Sequence, residues 1–272
     1  MEDWLAINRA HWDERVPIHR QGRFYDVDGF KTGRSTLRRQ EVDDLVPVVG
    51  KTLVHLQCHF GLDTLSWARL GATVAGVDFS APAIEAARAL AAETGIAAEF
   101  VEGNVYDAPA LLQGRRFDVV YTGLGALMWL PDIEGWAEVV AALLAPGGEL
   151  YLIEFHPTQW MLSESDPLRI VDSYFTEETR FTLAGTYADR AAPTRANETR
   201  QRNHGLGAVV TAVIAAGLSI KSLRESPETP WQWSPVLERS DTGYCMPGES
   251  AVASAHLHVA CNQTRYALKI LT

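Results

Sequence analysis

The apolar residues in the centre of the chain change their period several times. Runs rich in β-branched and aliphatic residues, typical of strands, occur at residues 51–57, 73–78, 98–102, 117–122 and 148–155. Apolar residues at every third or fourth position, typical of helices, occur between them at residues 62–70, 81–93 and 132–144. Strands and helices that alternate in this way predict right-handed crossovers and an α/β fold with a doubly wound, mostly parallel sheet.

Individual residues mark several element ends. Gly71 is suited to a helix C-terminus, and Ser80 offers an N-cap to a helix with Pro82 in its first turn. Residues 145–148, APGG, predict a break before the fifth strand. Trp136 lies on the apolar face of its helix, which predicts a core position.

Two segments do not follow the alternation. Residues 1–50 predict an N-terminal helical cap, with an amphipathic helix, an aromatic and glycine-containing segment, and a second helix. Residues 156–203 predict an insertion, which the pattern divides into short strands at residues 173–183 and 186–188 and a loop at residues 190–202.

Regular periodicity resumes after the insertion. Apolar residues at helical spacing begin at Leu206 and end at Gly217. Two later strands are predicted at residues 219–223 and 253–261.

Composition narrows the functional classes. The chain has 272 residues, 47% of them hydrophobic, and a net charge of −10 at pH 7. This acidic balance argues against nucleic-acid binding, which needs a basic face. We expect no signal peptide or membrane span, and the three widely spaced cysteines fit a cytoplasmic protein without disulfides or a metal site.

The loop after the first strand is the expected ligand site of such a sheet. It reads LVHLQCHFGLDT and carries only Gly61 of the three glycines of a dinucleotide-binding loop. Asp63 in the first helical turn would repel a pyrophosphate. Asp78, at the end of the second strand, is placed to accept hydrogen bonds from ribose hydroxyls. These residues favour a ribose-bearing ligand without a pyrophosphate, a description that S-adenosylmethionine fits.

Five motifs in order resemble the class I S-adenosylmethionine-dependent methyltransferases: LVHLQCHFG, GVDFS, EFVEGNVYDAP, FDVVYTG and LLAPGG. The resemblance implies a seven-stranded Rossmann-like sheet, S-adenosylmethionine as cofactor and S-adenosylhomocysteine as product. At matched positions it implies that the cofactor contacts are Gln57, His59, Gly61, Asp78, Phe79, Asn104, Val105, Thr122, Gly123 and Leu124.

The sequence departs from the common methyltransferase pattern at four of these motif positions. His55 replaces the usual acid, Gln57 and His59 replace glycines, and Asn104 stands where Asp is frequent.

The flanking segments FYDVDGFKTGRS, FHPTQW and NHGLG resemble a bacterial group of small-molecule methyltransferases. This extends the resemblance over most of the chain and divides it into a lid at residues 1–50 and a methyltransferase domain at residues 51–272. The insertion at about residues 156–203 is then expected to cover the active site. In the lid, Tyr25 and Gly33 are candidate cofactor contacts, with surface packing as the alternative.

Methyl transfer depends mainly on aligning the acceptor with the methyl group, and a general base helps when the acceptor must lose a proton. His156, directly after the fifth strand, is the candidate base, although it can equally be hydrogen-bonded in a turn. Trp129, Trp160 and His204 are candidate acceptor-binding residues, with packing or helix capping as the alternatives. The position of Glu154, in the pocket or on an exposed edge, stays open.

Three functions are compatible with these patterns. The first is methyl transfer to oxygen, nitrogen or carbon of a small-molecule acceptor by a monomer or homodimer. The second is an NAD(P)-dependent oxidoreductase, which the missing glycines and Asp63 disfavour. The third is a non-catalytic S-adenosylmethionine-binding protein.

Overall fold

The computed structural model describes residues 2–175, 178–240, 243–245 and 254–260, with residue 2 and residues 254–260 described as backbone only. Helices run over α1 (Glu2–Gln21), α2 (Val27–Lys31), α3 (Arg39–Leu45), α4 (Leu62–Arg69), α5 (Ala81–Thr94), α6 (Ala108–Leu111), α7 (Ile133–Leu143) and α8 (Leu206–Ala215). Strands run over β1 (Thr52–Leu56), β2 (Thr73–Asp78), β3 (Glu99–Glu102), β4 (Phe117–Thr122), β5 (Leu144–Phe155), β6 (Thr179–Thr182), β7 (Glu198–Gln201), β8 (Ser219–Ser226), β9 (Glu228–Thr229), β10 (Glu238–Arg239), β11 (Tyr244–Cys245) and β12 (Ser254–Ala260).

The main sheet has the strand order β3-β2-β1-β4-β5-β12-β8. The five strands from β3 to β5 pair in parallel, and β12 runs antiparallel to both of its neighbours. The predicted α/β class and the parallel central sheet are therefore confirmed. Because the strand order reverses between β1 and β4, a ligand crevice is expected at their carboxyl ends.

Alternating side chains of β1 face two separate apolar layers. Val54 and Leu56 pack with Trp136 of α7, which is fully buried as its helical spacing predicts. Leu53 packs on the other face with Trp67 of α4. The sheet is covered on both sides, which explains why the central strands are almost continuously apolar.

Several predicted helix ends are confirmed by their capping geometry. The side chain of Ser80 accepts a hydrogen bond from the Ala83 N–H at the start of α5, and Pro82 lies in the first turn. Gly217 follows α8 with a φ of 82°. The sequence pattern did not predict α2, and it predicted β8 three residues too short, because few apolar residues recur at regular spacing in these segments.

The predicted break at residues 145–148 is wrong. These residues lie within β5, which pairs with β4 both before and after them through a shift in register. Gly147 has a φ of 78°, which a glycine adopts without steric cost. The APGG segment therefore forms an irregularity inside a strand.

Two predictions for the insertion are also wrong. Residues 186–188 do not form a strand, because the Thr186 hydroxyl accepts the Ala188 N–H and holds a turn. The predicted loop at residues 190–202 contains β7, which pairs with β6. Of the predicted strand at residues 173–183, only β6 forms, because residues 173–175 contain a turn rather than a strand, and residues 176 and 177 lie outside the described part. The end residues Ala253 and Cys261 of the last predicted strand also lie outside it.

Helix α1 is joined to the insertion by buried polar contacts. The buried guanidinium of Arg15 donates to the carbonyl oxygens of Ala196 (2.9 Å) and Gly185 (3.0 Å). Asn8 donates to the Arg200 carbonyl (2.8 Å) and accepts the Arg200 N–H (2.9 Å). The first helix and β7 therefore pack as one unit over the sheet. Among the described residues, no helix has the length and apolar character needed to cross a membrane.

Candidate functional site

The loop after β1 holds three residues in the left-handed region. Gln57 has a φ of 58°, His59 of 51° and Gly61 of 82°. Non-glycine residues in this region cost on the order of 1–3 kcal/mol each, and such strain clusters at ligand sites. The loop therefore keeps the backbone path of a glycine-rich ligand loop although two of its glycines are replaced.

Gly61→Ala is expected to lower the free energy of unfolding by roughly 2–5 kcal/mol, because backbone strain and overpacking add together. An added Cβ at Gly61 would lie 2.6 Å from the Phe100 ring. Gly207→Ala in α8 is the matched control, since its Cβ would meet nothing within 4 Å. Chemical denaturation of both variants tests this, and equal midpoints would contradict it.

Asp78, at the end of β2, fixes the same loop. Its carboxylate accepts the N–H of His59 (2.7 Å) and the N–H of Ser80 (2.9 Å). Burial, with a smaller contribution from the nearby carboxylate of Asp13 on α1, raises the pKa of Asp78 to about 6, although the backbone donors lower it. A carboxylate already oriented by two N–H groups, and only partly exposed, is suited to accept hydrogen bonds from a polar ligand.

The other predicted cofactor residues lie at the carboxyl ends of the neighbouring strands. Phe79 is buried directly after β2. Asn104 follows β3 and accepts the Tyr106 N–H (3.3 Å), while the Val105 side chain packs into the core. Thr122, the last residue of β4, is fully buried and is followed by the remaining two predicted residues, Gly123 and Leu124.

Among the described residues, the polar atoms that are buried without a hydrogen-bond partner at this edge of the sheet and on α1 include Arg9 Nε, Asp13 Oδ1, His19 Nδ1, Gln57 Oε1, His59 Nε2 and Thr122 Oγ1. Buried polar atoms without partners are rare in folded proteins and commonly mark a ligand. This set includes a carboxylate, an amide oxygen and a hydroxyl, which suit a ligand that carries ammonium and hydroxyl groups. The residues present therefore fit S-adenosylmethionine.

Aromatic side chains cover the loop from the α1 side. The Trp12 ring centroid lies 5.3 Å from that of His59 and 5.2 Å from that of Trp129. His19 lies 5.2 Å from His59 and 5.2 Å from Tyr25. Tyr25 therefore lies beside the loop, and Trp129 packs against Trp12 of α1.

Gly33 is not brought to the site. It lies in an exposed turn after α2 with a φ of 113°, and an added Cβ would meet nothing within 4 Å. The turn conformation itself explains the glycine.

Sequence reasoning missed His11, Asp13, His19 and Tyr187. His19 stands seven residues after Trp12, so both project from the same face of α1, and this spacing was the available signal. Tyr187, from the insertion, has its ring centroid 4.9 Å from that of His19 and carried no such signal. Burial lowers the pKa of His11 and of His19 to about 4, so both imidazoles are neutral at pH 7.

A separate cavity lies beyond the end of β5 and encloses about 530 Å³ of empty space, part of it open to solvent. Trp160 and His204, predicted to bind the acceptor, both line it, together with Glu154. The carboxylate of Glu154 accepts the N–H groups of Gly125, Leu127 and Phe155, each at 2.7 Å. Glu154 therefore faces the pocket and supports the loop after β4.

Burial raises the pKa of Glu154 to about 7, although its backbone donors lower it. The carboxyl thus titrates near neutral pH in the folded protein. Among the described residues, no group of histidine, cysteine, aspartate or glutamate side chains is arranged to hold a metal ion.

His156 and His204 differ in which ring nitrogens are free to accept a proton. Nδ1 of His156 accepts the Thr158 N–H (3.3 Å), and its Nε2 binds Glu225 (2.8 Å), so both nitrogens are engaged. His204 Nε2 lies 2.8 Å from the Leu130 carbonyl oxygen. Because a carbonyl only accepts, Nε2 carries the proton and the neutral ring keeps a lone pair at Nδ1. Burial lowers the pKa of His204, which favours this neutral form.

Comparison with known proteins agrees with this geometry. A family model described as a methyltransferase domain matches residues 54–150. The ubiquinone biosynthesis O-methyltransferase of Ralstonia nicotianae is 32% identical over 120 residues, which cover 44% of this chain and 50% of that protein. The matches span between 46% and 62% of the length of the first curated relatives.

Two solved structures share the fold at low identity. An S-adenosylmethionine-dependent methyltransferase from Listeria monocytogenes, described as putative in its own report, aligns with a TM-score of 0.56 and 15% identity, over 81% of this chain and 96% of its own. The [4+2]-cyclase SpnF aligns with a TM-score of 0.58 and 15% identity, over 93% and 94% of the two chains. Residues 54–150 therefore match a methyltransferase domain, and the fold is one that an S-adenosylmethionine-dependent methyltransferase of known structure shares.

Proposed function

We propose that this protein transfers a methyl group from S-adenosylmethionine to oxygen, nitrogen or carbon of a small-molecule acceptor. The observation that carries the proposal is the loop after β1, held in a glycine-like path by the Asp78 carboxylate and surrounded by buried polar atoms without partners. The name of the curated relatives, O-methyltransferase, favours oxygen as the attacked atom.

In this proposal Asp78 accepts hydrogen bonds from the ribose hydroxyls, and Phe79, Asn104 and Val105 lie around the adenine. Gln57, Gly61 and the residues that follow β4 surround the methionine part. The bound cofactor supplies an electrophilic methyl group on its sulfonium. Residues 1–50 act as a lid, with Trp12 and Tyr25 excluding water, and the insertion at residues 156–203 completes the cover.

The acceptor occupies the cavity at the end of β5. Glu154 holds the loop after β4 in place through three backbone N–H bonds, so the cavity and the cofactor side share one rigid wall. His204 replaces His156 as the candidate base: its Nδ1 lone pair accepts the proton that an acceptor hydroxyl or amine loses when the methyl group is transferred. His156 instead fixes the turn after β5.

Other parts of the proposal rest on composition. The net charge of −10 favours a small-molecule acceptor over a nucleic acid. A cytoplasmic monomer or homodimer is the corresponding expectation for the assembly.

Calorimetry with S-adenosylmethionine, S-adenosylhomocysteine and NAD⁺ tests the cofactor assignment. We expect binding of the first two and none of NAD⁺, since Asp63 and the missing glycines oppose a pyrophosphate. Tight binding of NAD⁺ alone would overturn the proposal in favour of an oxidoreductase.

A non-catalytic S-adenosylmethionine-binding protein is the second candidate. It is favoured by the non-glycine residues Gln57 and His59 at left-handed positions of the loop. A panel of phenols, hydroxy acids and amines, assayed by release of S-adenosylhomocysteine, separates the two. Cofactor binding without turnover on any member would favour the second candidate.

A further inference from the structure

The cavity at the end of β5 has a polar rim on one side and an apolar interior. Its interior is lined by aliphatic and aromatic side chains, among them Leu152, Phe155 and Val209. The rim is formed by Arg202, Asn203 and His204, which precede α8.

Arg202 and Arg200 lie two residues apart but differ in whether a carboxylate pairs with them. Arg200 pairs with Asp3 (2.6 Å) and Glu178 (3.2 Å). Arg202 forms no ion pair with any carboxylate in the described part of the chain, and its Nε is buried without a hydrogen-bond partner. A partly buried cation without a carboxylate partner is free to bind the anionic group of a ligand.

Asn203 adds a second unsatisfied group at the same rim. Its Nδ2 donates to the carbonyl oxygens of Pro157 and Tyr174, each at 3.1 Å, which fixes the orientation of the amide. Its Oδ1 is buried without a partner. The rim therefore presents a donor that carries positive charge beside a neutral acceptor, at the opening of an apolar cavity.

Neither Glu154, which lines the cavity, nor the nearby Asp132 neutralises the charge of Arg202. Glu154 directs its oxygens at three backbone N–H groups. Asp132 lies close enough to influence His204, but it caps α7 through the Gly135 N–H (2.9 Å) and forms no ion pair with Arg202.

We propose that this cavity binds an amphipathic acid, with the apolar body inside and a carboxylate on the guanidinium of Arg202. The planar guanidinium matches a carboxylate through paired hydrogen bonds, and Asn203 Oδ1 accepts from a hydroxyl or amine of the same molecule. That this acid is the methyl acceptor rests on the proposed function; its binding at Arg202 does not.

Octanoate and its neutral analogue octanamide are the probes, because they differ only in the charge of the head group. Calorimetry on the full chain, in the presence of S-adenosylhomocysteine, is expected to show octanoate binding roughly tenfold or more tightly than octanamide, the usual effect of a hydrogen bond to a charged partner. Equal binding of the two probes, or binding of neither, would overturn the proposal.

Three variants assign the effect to Arg202. Arg202→Met is expected to abolish the preference for octanoate while leaving octanamide binding unchanged, and Arg202→Lys is expected to retain part of it. Arg190→Met is the matched control, since it removes an exposed cation that pairs only with Glu164. If Arg202→Met keeps the preference, or if Arg190→Met loses it equally, the site is not at Arg202.

Two readouts keep this proposal separate from the proposed function. S-adenosylhomocysteine binding to each variant reports on the cofactor site and on folding. A preference for octanoate without any cofactor binding leaves the acid site standing and overturns methyl transfer. Cofactor binding without a preference for octanoate overturns the acid site and leaves the cofactor assignment standing.

Discussion

His204→Ala is expected to lower the turnover number by roughly 10²–10⁴-fold, the usual contribution of a general base, with cofactor affinity unchanged. Its Nε2–H is fixed on the Leu130 carbonyl, so the lone pair at Nδ1 is the part of the ring that can accept a proton. The measurement is release of S-adenosylhomocysteine with the best acceptor of the panel, together with the cofactor dissociation constant.

His156→Ala is the matched control for this substitution. Both of its nitrogens are engaged, by Thr158 and by Glu225, so its loss is expected to reduce thermal stability and leave turnover unchanged. A loss of turnover in His156→Ala that equals the loss in His204→Ala would return the base role to His156.

The pH dependence of turnover gives a second readout for His204. Burial lowers its pKa below the ordinary value of 6.5, so the neutral, proton-accepting form persists to lower pH than for an exposed histidine. The acidic limb of the turnover profile is therefore expected below pH 6.5, and it should disappear in the residual activity of His204→Ala. An unchanged acidic limb in that variant would contradict the assignment.

Asp78→Ala is expected to weaken S-adenosylmethionine binding by about 1.5–3 kcal/mol, or roughly 10- to 150-fold, because it removes a charged acceptor for the ribose hydroxyls. The carboxylate also orients the loop through the His59 N–H. Calorimetric titration with S-adenosylmethionine measures the effect, and unchanged affinity would refute the ribose assignment.

Asp118→Ala is the control, since its carboxylate also accepts a backbone N–H, that of Thr52 (2.8 Å), but at the opposite end of the sheet. We expect it to lower stability and leave cofactor affinity unchanged. A similar loss of affinity in both variants would mean that Asp78 acts only through folding.

The raised pKa of Asp78 makes the same interaction dependent on pH. Since its pKa lies at about 6, the carboxyl is ionised above this pH and protonated below it. The ionised form is the better acceptor, so affinity is expected to be constant at pH 7 and above and to fall by up to about tenfold per pH unit below 6. Asp78→Ala should flatten this dependence, and an equally steep curve in the variant would exclude Asp78 as its source.

Much of the sheet could be predicted because its signals are local. Ser80 caps α5 with its own side chain, and Trp136 lies in the core because helical spacing carries it to the sheet face. The five motifs resemble those of methyltransferases, and a methyltransferase-domain model matches residues 54–150, which contain most of them. The roles assigned to Asp78, Phe79, Asn104 and the other motif residues stay predictions, although the structure brings them to one edge of the sheet.

The predictions that failed depend on contacts between distant segments. Residues 145–148 read as a break, yet pairing with β4 on both sides carries the strand through them. β7 has no apolar alternation and exists because β6 and α1 supply its hydrogen bonds. The residues within a few positions of a segment do not indicate which distant strand or helix will pair with it.

The sequence by itself determined the order of strands and helices in the central sheet, the ligand edge of that sheet and the resemblance to methyltransferases, because periodicity, capping and loop motifs act within a few residues. Only the tertiary structure decided which polar groups are left without a hydrogen-bond or ion-pair partner. Each of His156 and His204 has one ring nitrogen held by a residue far along the chain, Glu225 for the first and Leu130 for the second, but the neighbouring Thr158 engages the other nitrogen of His156 as well. Likewise, His19 and Arg202 became candidate site residues only when folding buried one beside the cofactor loop and left the other without a carboxylate. Burial and pairing are properties of the assembled chain, so these assignments required the fold.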